Sequence, residues 1–164
     1  MAEHCFSLPE GLTKRELYEV FLKDYAVFID GETDEVAAMA NTAAALHDAF
    51  DFFWVGFYLV REPDWLHLGP FQGSVACSRI KRGRGVCGTA WAEARTLVVP
   101  NVDLFPGHIA CSSLSRSEIV VPMIRGGEVV GVLDIDSDRL DAFDEDDRIG
   151  LEAVVAILIN RLTD

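Results

Sequence analysis

Residues 118–136 have the sequence EIVVPMIRGGEVVGVLDID, which predicts two β-strands joined by a tight turn. Residues 118–124 and 128–136 are both rich in β-branched side chains, which favour strands. Arg125-Gly126-Gly127 between them is a hairpin signal, since glycine adopts the backbone angles that tight turns need. Strands joined by a hairpin are antiparallel, so this stretch predicts an antiparallel sheet.

Helices are predicted on both sides of the strands. Thr13 to Glu16 fits a capping box at the start of a helix over Lys14–Phe28, and an Ala-rich helix is predicted over Glu35–Phe50. Residues 144–162 begin with acidic side chains, as the helix dipole favours, and then become almost wholly apolar. We therefore expect an α+β domain, a central antiparallel β-sheet flanked by N- and C-terminal helices.

The middle of the chain predicts shorter elements. Strands are expected at residues 53–60, 66–68 and 74–77, a short helix at 89–94 and an extended segment at 96–99. Neither a linker nor an internal repeat is visible, so residues 1–164 are expected to form one domain with residues 1–11 as an irregular N-terminal extension.

Composition narrows the classes of function. The chain has 164 residues, 50% of them hydrophobic, and a net charge of −13. The acidic charge argues against binding nucleic acid or an anionic membrane surface. The first five residues lack a secretory signal, so we expect a cytoplasmic protein whose four cysteines form no static disulfide framework.

Three cysteines in the second half of the chain could carry thiol chemistry. Cys111 lies in a loop with Gly and Pro, Cys87 precedes the short predicted helix, and Cys77 falls on a predicted strand. A helix N-terminus would lower the pKa of the Cys87 thiol. The alternatives are inert packing cysteines, or a zinc site with His108, which the long spacing between ligands disfavours.

Carboxylates on the predicted hairpin are the second chemical feature. Asp134 and Asp136 are two residues apart on a strand and therefore share a face, which Val130 and Val132 precede. Such a strand either runs out into water or enters a polar pocket. Clustered carboxylates, with Glu118 nearby in sequence order, would raise one another's pKa and hold a proton at neutral pH.

A calcium loop is an alternative for the same acids. Asp134, Asp136, Asp138 and Glu145 match the acidic positions of an EF-hand loop. Arg139 occupies the position of the required glycine, and a strand rather than a helix is predicted before the loop. The sequence therefore disfavours calcium.

Two further features could belong to a pocket. Trp54, Gly56 and Tyr58 alternate on one strand, and the glycine leaves a gap that either a ligand or ordinary sheet packing could fill. A basic turn could hold a substrate anion or could simply be solvated. Its cationic residues are Arg79, Lys81, Arg82 and Arg84.

Five segments together resemble one family, the free methionine-(R)-sulfoxide reductases, which are single GAF domains. The resemblance runs from about Leu12 to the C-terminus and keeps the family's order. The segments are DFFWVGFY (51–58), GVCGTA (85–90), GHIAC (107–111), SEIVVP (117–122) and GVLDIDS (131–137).

The resemblance implies a role for each matching residue. Cys111 matches the nucleophile, Cys77 the preferred resolving thiol and Cys87 a third cysteine that resolves as an alternative. Other matches are expected to bind substrate. The acids Glu118, Asp134 and Asp136 would hold the sulfoxide oxygen and the substrate amine. Trp54 and Tyr58 would form the aromatic wall of the pocket. Asp103, in the loop before the nucleophile, would also line the site.

The implied activity is reduction of free methionine (R)-sulfoxide, with thioredoxin as reductant and no metal or organic cofactor. The sequence leaves the oligomeric state open, a homodimer included. The alternatives are a GAF domain that senses a small molecule, for whose usual output domain the chain has no room, and a redox sensor that turns nothing over. Where the family has an acid after the nucleophile, this chain has Ser112, which is expected to affect fine tuning, and Cys5 has no counterpart.

Overall fold

The described residues form six strands, four α-helices and one short 3-10 helix. The computed structural model describes residues 6–109 and 111–163, so Cys5 lies outside the described residues. The elements in chain order are α1 (Lys14–Phe28), α2 (Glu35–Phe50), β1 (Trp54–Glu62), β2 (Trp65–Gln72), β3 (Arg79–Lys81), α3 (Gly85–Glu93), β4 (Leu97–Val99), the 3-10 helix (Val102–Leu104), β5 (Ser117–Arg125), β6 (Glu128–Ser137) and α4 (Glu145–Thr163).

The strands form one sheet in the order β3-β2-β1-β6-β5-β4, with every neighbouring pair antiparallel. Helices α1, α2 and α4 pack on one face of this sheet, through alternate residues of β1, β5 and β6 such as Phe57 and Leu133. Helix α3 packs on the opposite face, where Trp91 joins Val120 and Val132. The expected α+β architecture is confirmed, with helices on both faces.

The first two helices begin where local chemistry places them. The Thr13 side chain accepts a hydrogen bond from the backbone N–H of Glu16 at 3.2 Å, and Asp34 accepts one from Ala37 at 2.8 Å. Each cap satisfies one of the N–H groups that a helix start leaves without an intrahelical partner. Both predicted ranges are confirmed.

A bulge in the β5–β6 hairpin sets the register of the sheet. Gly126 and Gly127 both have positive φ, as the predicted tight turn requires. Arg125 lies opposite Glu128, but the register shifts by one residue beyond Ile124, so that Val130 has no partner. Val130 consequently packs on the face of α1, α2 and α4, and the expectation that it shares the face of Asp134 was wrong because of this shift.

The segment from Ser74 to Cys77 is not the expected strand. It has no regular structure and lies between β2, which extends to Gln72, and the short β3. Apolar and small residues alone favoured a strand there, yet Gly73 before it has a positive φ of 139° and breaks the extended path. Part of the basic turn is instead the edge strand β3.

Helix α4 is joined to α1 by a buried polar contact. The Tyr18 hydroxyl donates to Asp147 at 2.7 Å, and the Lys14 ammonium lies 2.7 Å from the same carboxylate. Gly150 faces the Tyr18 ring so closely that a Cβ would overlap it. Helices α1 and α4 are therefore joined by an ion pair, and they can approach closely because residue 150 has no side chain.

Residues 6–13, which precede α1, form neither helix nor strand, but they pack on the core. Phe6 is buried and its ring lies 5.5 Å from Phe21 and 5.2 Å from Phe28. No helix among the described residues is long and apolar enough to cross a membrane.

Candidate active site

Strand register gathers polar residues into a row on the α3 face of the sheet. Asp136 lies opposite Trp54 on one side and opposite Glu118 on the other, so the three side chains share a face. In the next row, Asp134 lies between Gly56 and Val120. The acids that the sequence singled out are thus neighbours because the adjacent strands β5 and β6 present them together.

A pocket of about 590 Å³, counting its open mouth, lies over this row. The three acids and Cys87 line its depths, and Trp54 and Tyr58 form a wall. Cys111 also lines the pocket and is exposed. The arrangement places buried carboxyl groups and an exposed cysteine in one pocket.

That sulfur belongs to a disulfide between Cys77 and Cys111, which are 34 residues apart in sequence with Cα atoms 5.4 Å apart. This pair is the one that the resemblance implies. Cys87 is the one cysteine among the described residues outside the disulfide. Sulfurs joined in a disulfide offer no thiolate to zinc, so the structure contradicts a zinc site of Cys77, Cys87, His108 and Cys111 in this state.

The aromatic wall also holds the segment that carries Cys77. The Trp54 indole donates to the carbonyl of Ser74 at 2.9 Å, and the Tyr58 hydroxyl donates to the carbonyl of Cys77 at 2.9 Å. Because the segment makes no strand pairing, these two bonds tie it to β1. Burial, and then the charge of Asp134, raises the pKa of Tyr58, so the phenol keeps the proton that it donates.

The gap at Gly56 is filled by the protein. A Cβ there would collide with Phe71 and with the Trp54 ring, and those two rings stack with centroids 5.3 Å apart. The structure thus supports sheet packing over the alternative of a ligand at this glycine.

Burial dominates the electrostatics of the acids. It raises the pKa of Glu118 well above its usual range, and the charges of Asp134 and Asp136 add to the effect. The pKa of Asp136 is also raised well above its usual range, by burial and then by Asp134, and burial raises that of Asp134. All three shifts have the same direction, so burial and crowding favour the protonated form within the cluster.

Cys87 differs from the expectation of a thiol activated by a helix N-terminus. Helix α3 starts earlier than expected, at Gly85, and places Cys87 inside its buried first turn. Burial, followed by the charges of Asp134 and Glu118, raises the pKa of this thiol well above its usual range. The expected lowering was wrong because desolvation and like charge outweigh the helix dipole.

The calcium alternative is contradicted by the strand. Asp134 and Asp136 lie on β6 with side chains in the pocket, whereas Asp138 is exposed after the strand ends. Glu145 opens α4 and pairs with Arg148. These acids face different directions, unlike the ligands of one EF-hand loop.

Several other residues that were candidates for the site lie outside the pocket. Asp103 is exposed on the 3-10 helix and is not among the described residues that line the pocket. Arg79 pairs with Glu62 at 2.5 Å and covers the Trp65 ring, so it is a surface contact of the sheet. Of the basic turn, only Arg84 lines the pocket.

Sequence reasoning gave several residues no place in the pocket wall. Ile109 and Ser115 line it from the loops that flank Cys111, and so does His108, which was considered only as a zinc ligand. The GHIAC segment and closeness in sequence to Cys111 were the available signals, because neither loop carries a periodic pattern. A Cβ at Gly85 would lie 3.2 Å from the Ile109 side chain, so the start of α3 packs against the loop that carries Ile109.

Comparison with known proteins agrees with this fold. A family model described as GAF domain matches residues 34–162. The chain is 53% identical over 148 residues to GAF domain-containing protein A of Dictyostelium discoideum, covering 90% of this chain and 94% of that protein. It is 46% identical over 148 residues to the free methionine-R-sulfoxide reductase of Escherichia coli K12, covering 90% and 89%.

A solved structure extends the likeness. The free methionine-R-sulfoxide reductase from Neisseria meningitidis, in complex with its substrate, superposes with a TM-score of 0.92 at 52% identity, covering 99% of this chain and 95% of that one. A six-stranded antiparallel sheet with helices on both faces and a pocket on one of them defines the class of GAF domains. The chain belongs to the GAF-domain family and, within it, to the free methionine-R-sulfoxide reductases, which are oxidoreductases.

Proposed function

We propose that this protein reduces free L-methionine (R)-S-oxide to L-methionine by a thiol mechanism, recycled in the cytoplasm by thioredoxin. The single observation that carries the proposal is the Cys77–Cys111 disulfide at a pocket whose depths hold three crowded, buried carboxyl groups. A thiol at the mouth and a stored proton inside are the two components that sulfoxide reduction requires.

The first step joins the substrate to Cys111. Once the disulfide is reduced, the Cys111 thiolate attacks the sulfoxide sulfur while a carboxyl of the acid cluster gives its proton to the oxygen. The sulfur–oxygen bond then breaks and the hydroxyl group passes to the Cys111 sulfur as the bond between the two sulfurs breaks, so that methionine leaves and Cys111 becomes a sulfenic acid. The sulfur of the substrate gains two electrons, and the sulfur of Cys111 loses them.

The second step closes the cycle. The Cys77 thiol attacks the sulfenic acid, which releases water and forms the disulfide present in this structure. A thioredoxin dithiol then reduces the disulfide by exchange. The exposure of Cys111 supports this step, because an external thiolate must reach one of the two sulfurs.

Selection of the free amino acid follows from the charge of the pocket. Those acids that are ionised attract the substrate ammonium group, and a residue inside a polypeptide has an uncharged amide there instead. Trp54 and Tyr58 supply apolar surface for the side chain of methionine sulfoxide. A pocket closed around both charged ends would exclude peptides.

The decisive experiment is a turnover assay with the separated R and S sulfoxides of free methionine, with thioredoxin and its reductase present. We expect repeated turnover of the R form only, with peptide-bound methionine sulfoxide as a control that stays unreduced. Binding without turnover would favour the small-molecule sensor, and a single oxidation event without methionine release would favour the redox sensor.

A further inference from the structure

Cys87, Glu118 and Asp134 bring three donor atoms together in the depths of the pocket. One ligand atom from each residue, the thiol sulfur and a carboxylate oxygen from each acid, lies within 4.8 Å of the other two. The Cys87 thiol donates to Glu118 Oε2 at 3.8 Å. The mechanism proposed above assigns Cys87 no necessary task, so this cluster is not fully explained by reduction of the sulfoxide.

A second observation concerns Asp134. Its Oδ1 atom is fully buried and makes no hydrogen bond with any described residue. A buried carboxylate oxygen without a partner is costly, and a bound ion is one of the few arrangements that satisfy such an atom. The side chains of Cys87, Glu118 and Asp134 are only 4%, 6% and 5% exposed, so solvent alone does not satisfy the group.

We propose that this cluster is a binding site for a thiophilic divalent cation of the zinc type, and that the bound ion inhibits the enzyme. Zinc–sulfur and zinc–oxygen bonds are about 2.3 Å and 2.0–2.2 Å long, so small side-chain movements let all three atoms reach one ion. A thiolate ligand favours zinc over magnesium or calcium. On binding, the ion displaces to solvent the thiol proton and the proton that the carboxyls hold, and two carboxylates and one thiolate surround it.

The fourth position of a tetrahedral ion would face the pocket, where water can complete the site. Inhibition rests on the proposed function, because the ion occupies the acids that the substrate needs. Binding does not rest on it. Since Cys87 stays a thiol when Cys77 and Cys111 form the disulfide, the site persists in the oxidised protein.

Cobalt(II) titration of the oxidised protein tests the site without any activity. Cys5→Ser is used as the background, so that Cys87 is the only thiol left in the chain. We expect one Co²⁺ per chain with a thiolate-to-cobalt charge-transfer band, displaced by Zn²⁺. Cys87→Ser should abolish the band, and Glu118→Gln and Asp134→Asn should each weaken affinity by at least about tenfold, the scale on which even outer partners of a metal act.

Glu93→Gln is the matched control, since this exposed acid lies on the same helix α3 and pairs only with Arg95. It should leave Co²⁺ affinity unchanged. A missing band, a band that survives Cys87→Ser, or full affinity in both acid variants would overturn the proposal. If Cys87→Ser does not fold, as near-ultraviolet circular dichroism would report, the two acid variants decide.

A second measurement separates this inference from the proposed function. Zn²⁺ should raise the KM for the sulfoxide with kcat unchanged, as expected for competition at the acids. Cobalt binding in a protein that reduces no sulfoxide would refute the function and leave the site intact. If turnover is insensitive to Zn²⁺ and the cobalt band is absent, the metal site is refuted and the proposed function stands.

Discussion

At the scale of single residues, the two cysteines of the disulfide divide the work between chemistry and recycling. Cys111→Ser should reduce methionine formation to the background rate, because a serine hydroxyl at neutral pH is a far weaker nucleophile than a thiolate. Cys77→Ser should yield one methionine per site and leave a sulfenic acid on Cys111 that a dimedone-type reagent traps. Mass spectrometry and single-turnover product analysis measure both outcomes.

The choice of resolving cysteine has its own test within this series. If steady-state turnover with thioredoxin survives Cys77→Ser and stops only when Cys87 is also replaced, then Cys87 resolves the sulfenic acid. Normal single-turnover chemistry in Cys111→Ser would refute the assigned nucleophile.

The acids should affect the rate of the chemical step more than substrate binding. Glu118→Gln and Asp136→Asn keep a hydrogen-bond donor but remove the transferable proton. We expect a lower single-turnover rate at saturating sulfoxide with a smaller change in substrate affinity. Glu152→Gln, on α4 outside the pocket, is the control. Unchanged rates in both pocket variants would leave the carboxylates without a catalytic role.

Stability should depend on pH through the same groups. The pKa of Glu118 is higher in the folded protein than in the unfolded chain, where it is about 4. Between these two pKa values the native state binds more protons than the unfolded state. The free energy of unfolding of the wild type therefore falls as the pH rises through this range, and that of Glu118→Gln should fall less. Urea unfolding at pH 5 and pH 8 measures this difference, and an equal loss in both proteins would contradict the shift.

At the scale of structural elements, β1 holds the segment that carries Cys77. Tyr58→Phe keeps the ring but removes the hydrogen bond to the Cys77 carbonyl, a loss of about 1 kcal/mol. We expect disulfide formation after a stoichiometric dose of sulfoxide to slow, while the first methionine forms at a nearly normal rate. Alkylation of free thiols over time measures the disulfide.

Tyr25→Phe provides the control for that experiment. The Tyr25 hydroxyl lies 2.7 Å from Thr42 in the core on the opposite face of the sheet. This variant should lose stability without changing the rate of disulfide formation. Equal rates in wild type and Tyr58→Phe would show that the hydrogen bond does not position Cys77.

At the scale of the whole molecule, the contact between α1 and α4 connects the first and the last helix of the fold. Gly150→Ala places a methyl group against the buried Tyr18 ring and disturbs the bond from Tyr18 to Asp147. We expect the free energy of unfolding to fall by about 1–3 kcal/mol, the usual cost of overpacking. Chemical denaturation followed by circular dichroism measures it.

The neighbouring Ile149 supplies the comparison, because its side chain is 56% exposed on the same helix. Ile149→Ala should change the free energy of unfolding by no more than about 0.5 kcal/mol. If Gly150→Ala were as stable as Ile149→Ala, helices α1 and α4 would have to separate to accept the methyl group.

Local sequence determined the elements of this protein and much of its chemistry. Thr13 and Asp34 fix helix starts through bonds to residues three positions away, and the glycines at 126 and 127 fix a turn through their own backbone angles. The resemblance to the reductase family depended on short segments around Cys87, Cys111 and Asp134. Each of these features needs only neighbouring residues, so each was visible in the sequence.

Only the tertiary structure decided how those residues meet. A regular hairpin continuing from Arg125 and Glu128 would place Glu118 opposite Ile135 and on the face away from the other two acids. The bulge at Val130 shifts the pairing by one residue, sets Glu118 opposite Asp136 and so assembles the cluster. Likewise, the pKa of Cys87 rises because packing buries it beside Asp134 and Glu118, which no sequence spacing reveals. Register and burial depend on contacts between distant segments, and for this physical reason they lay beyond the sequence pattern.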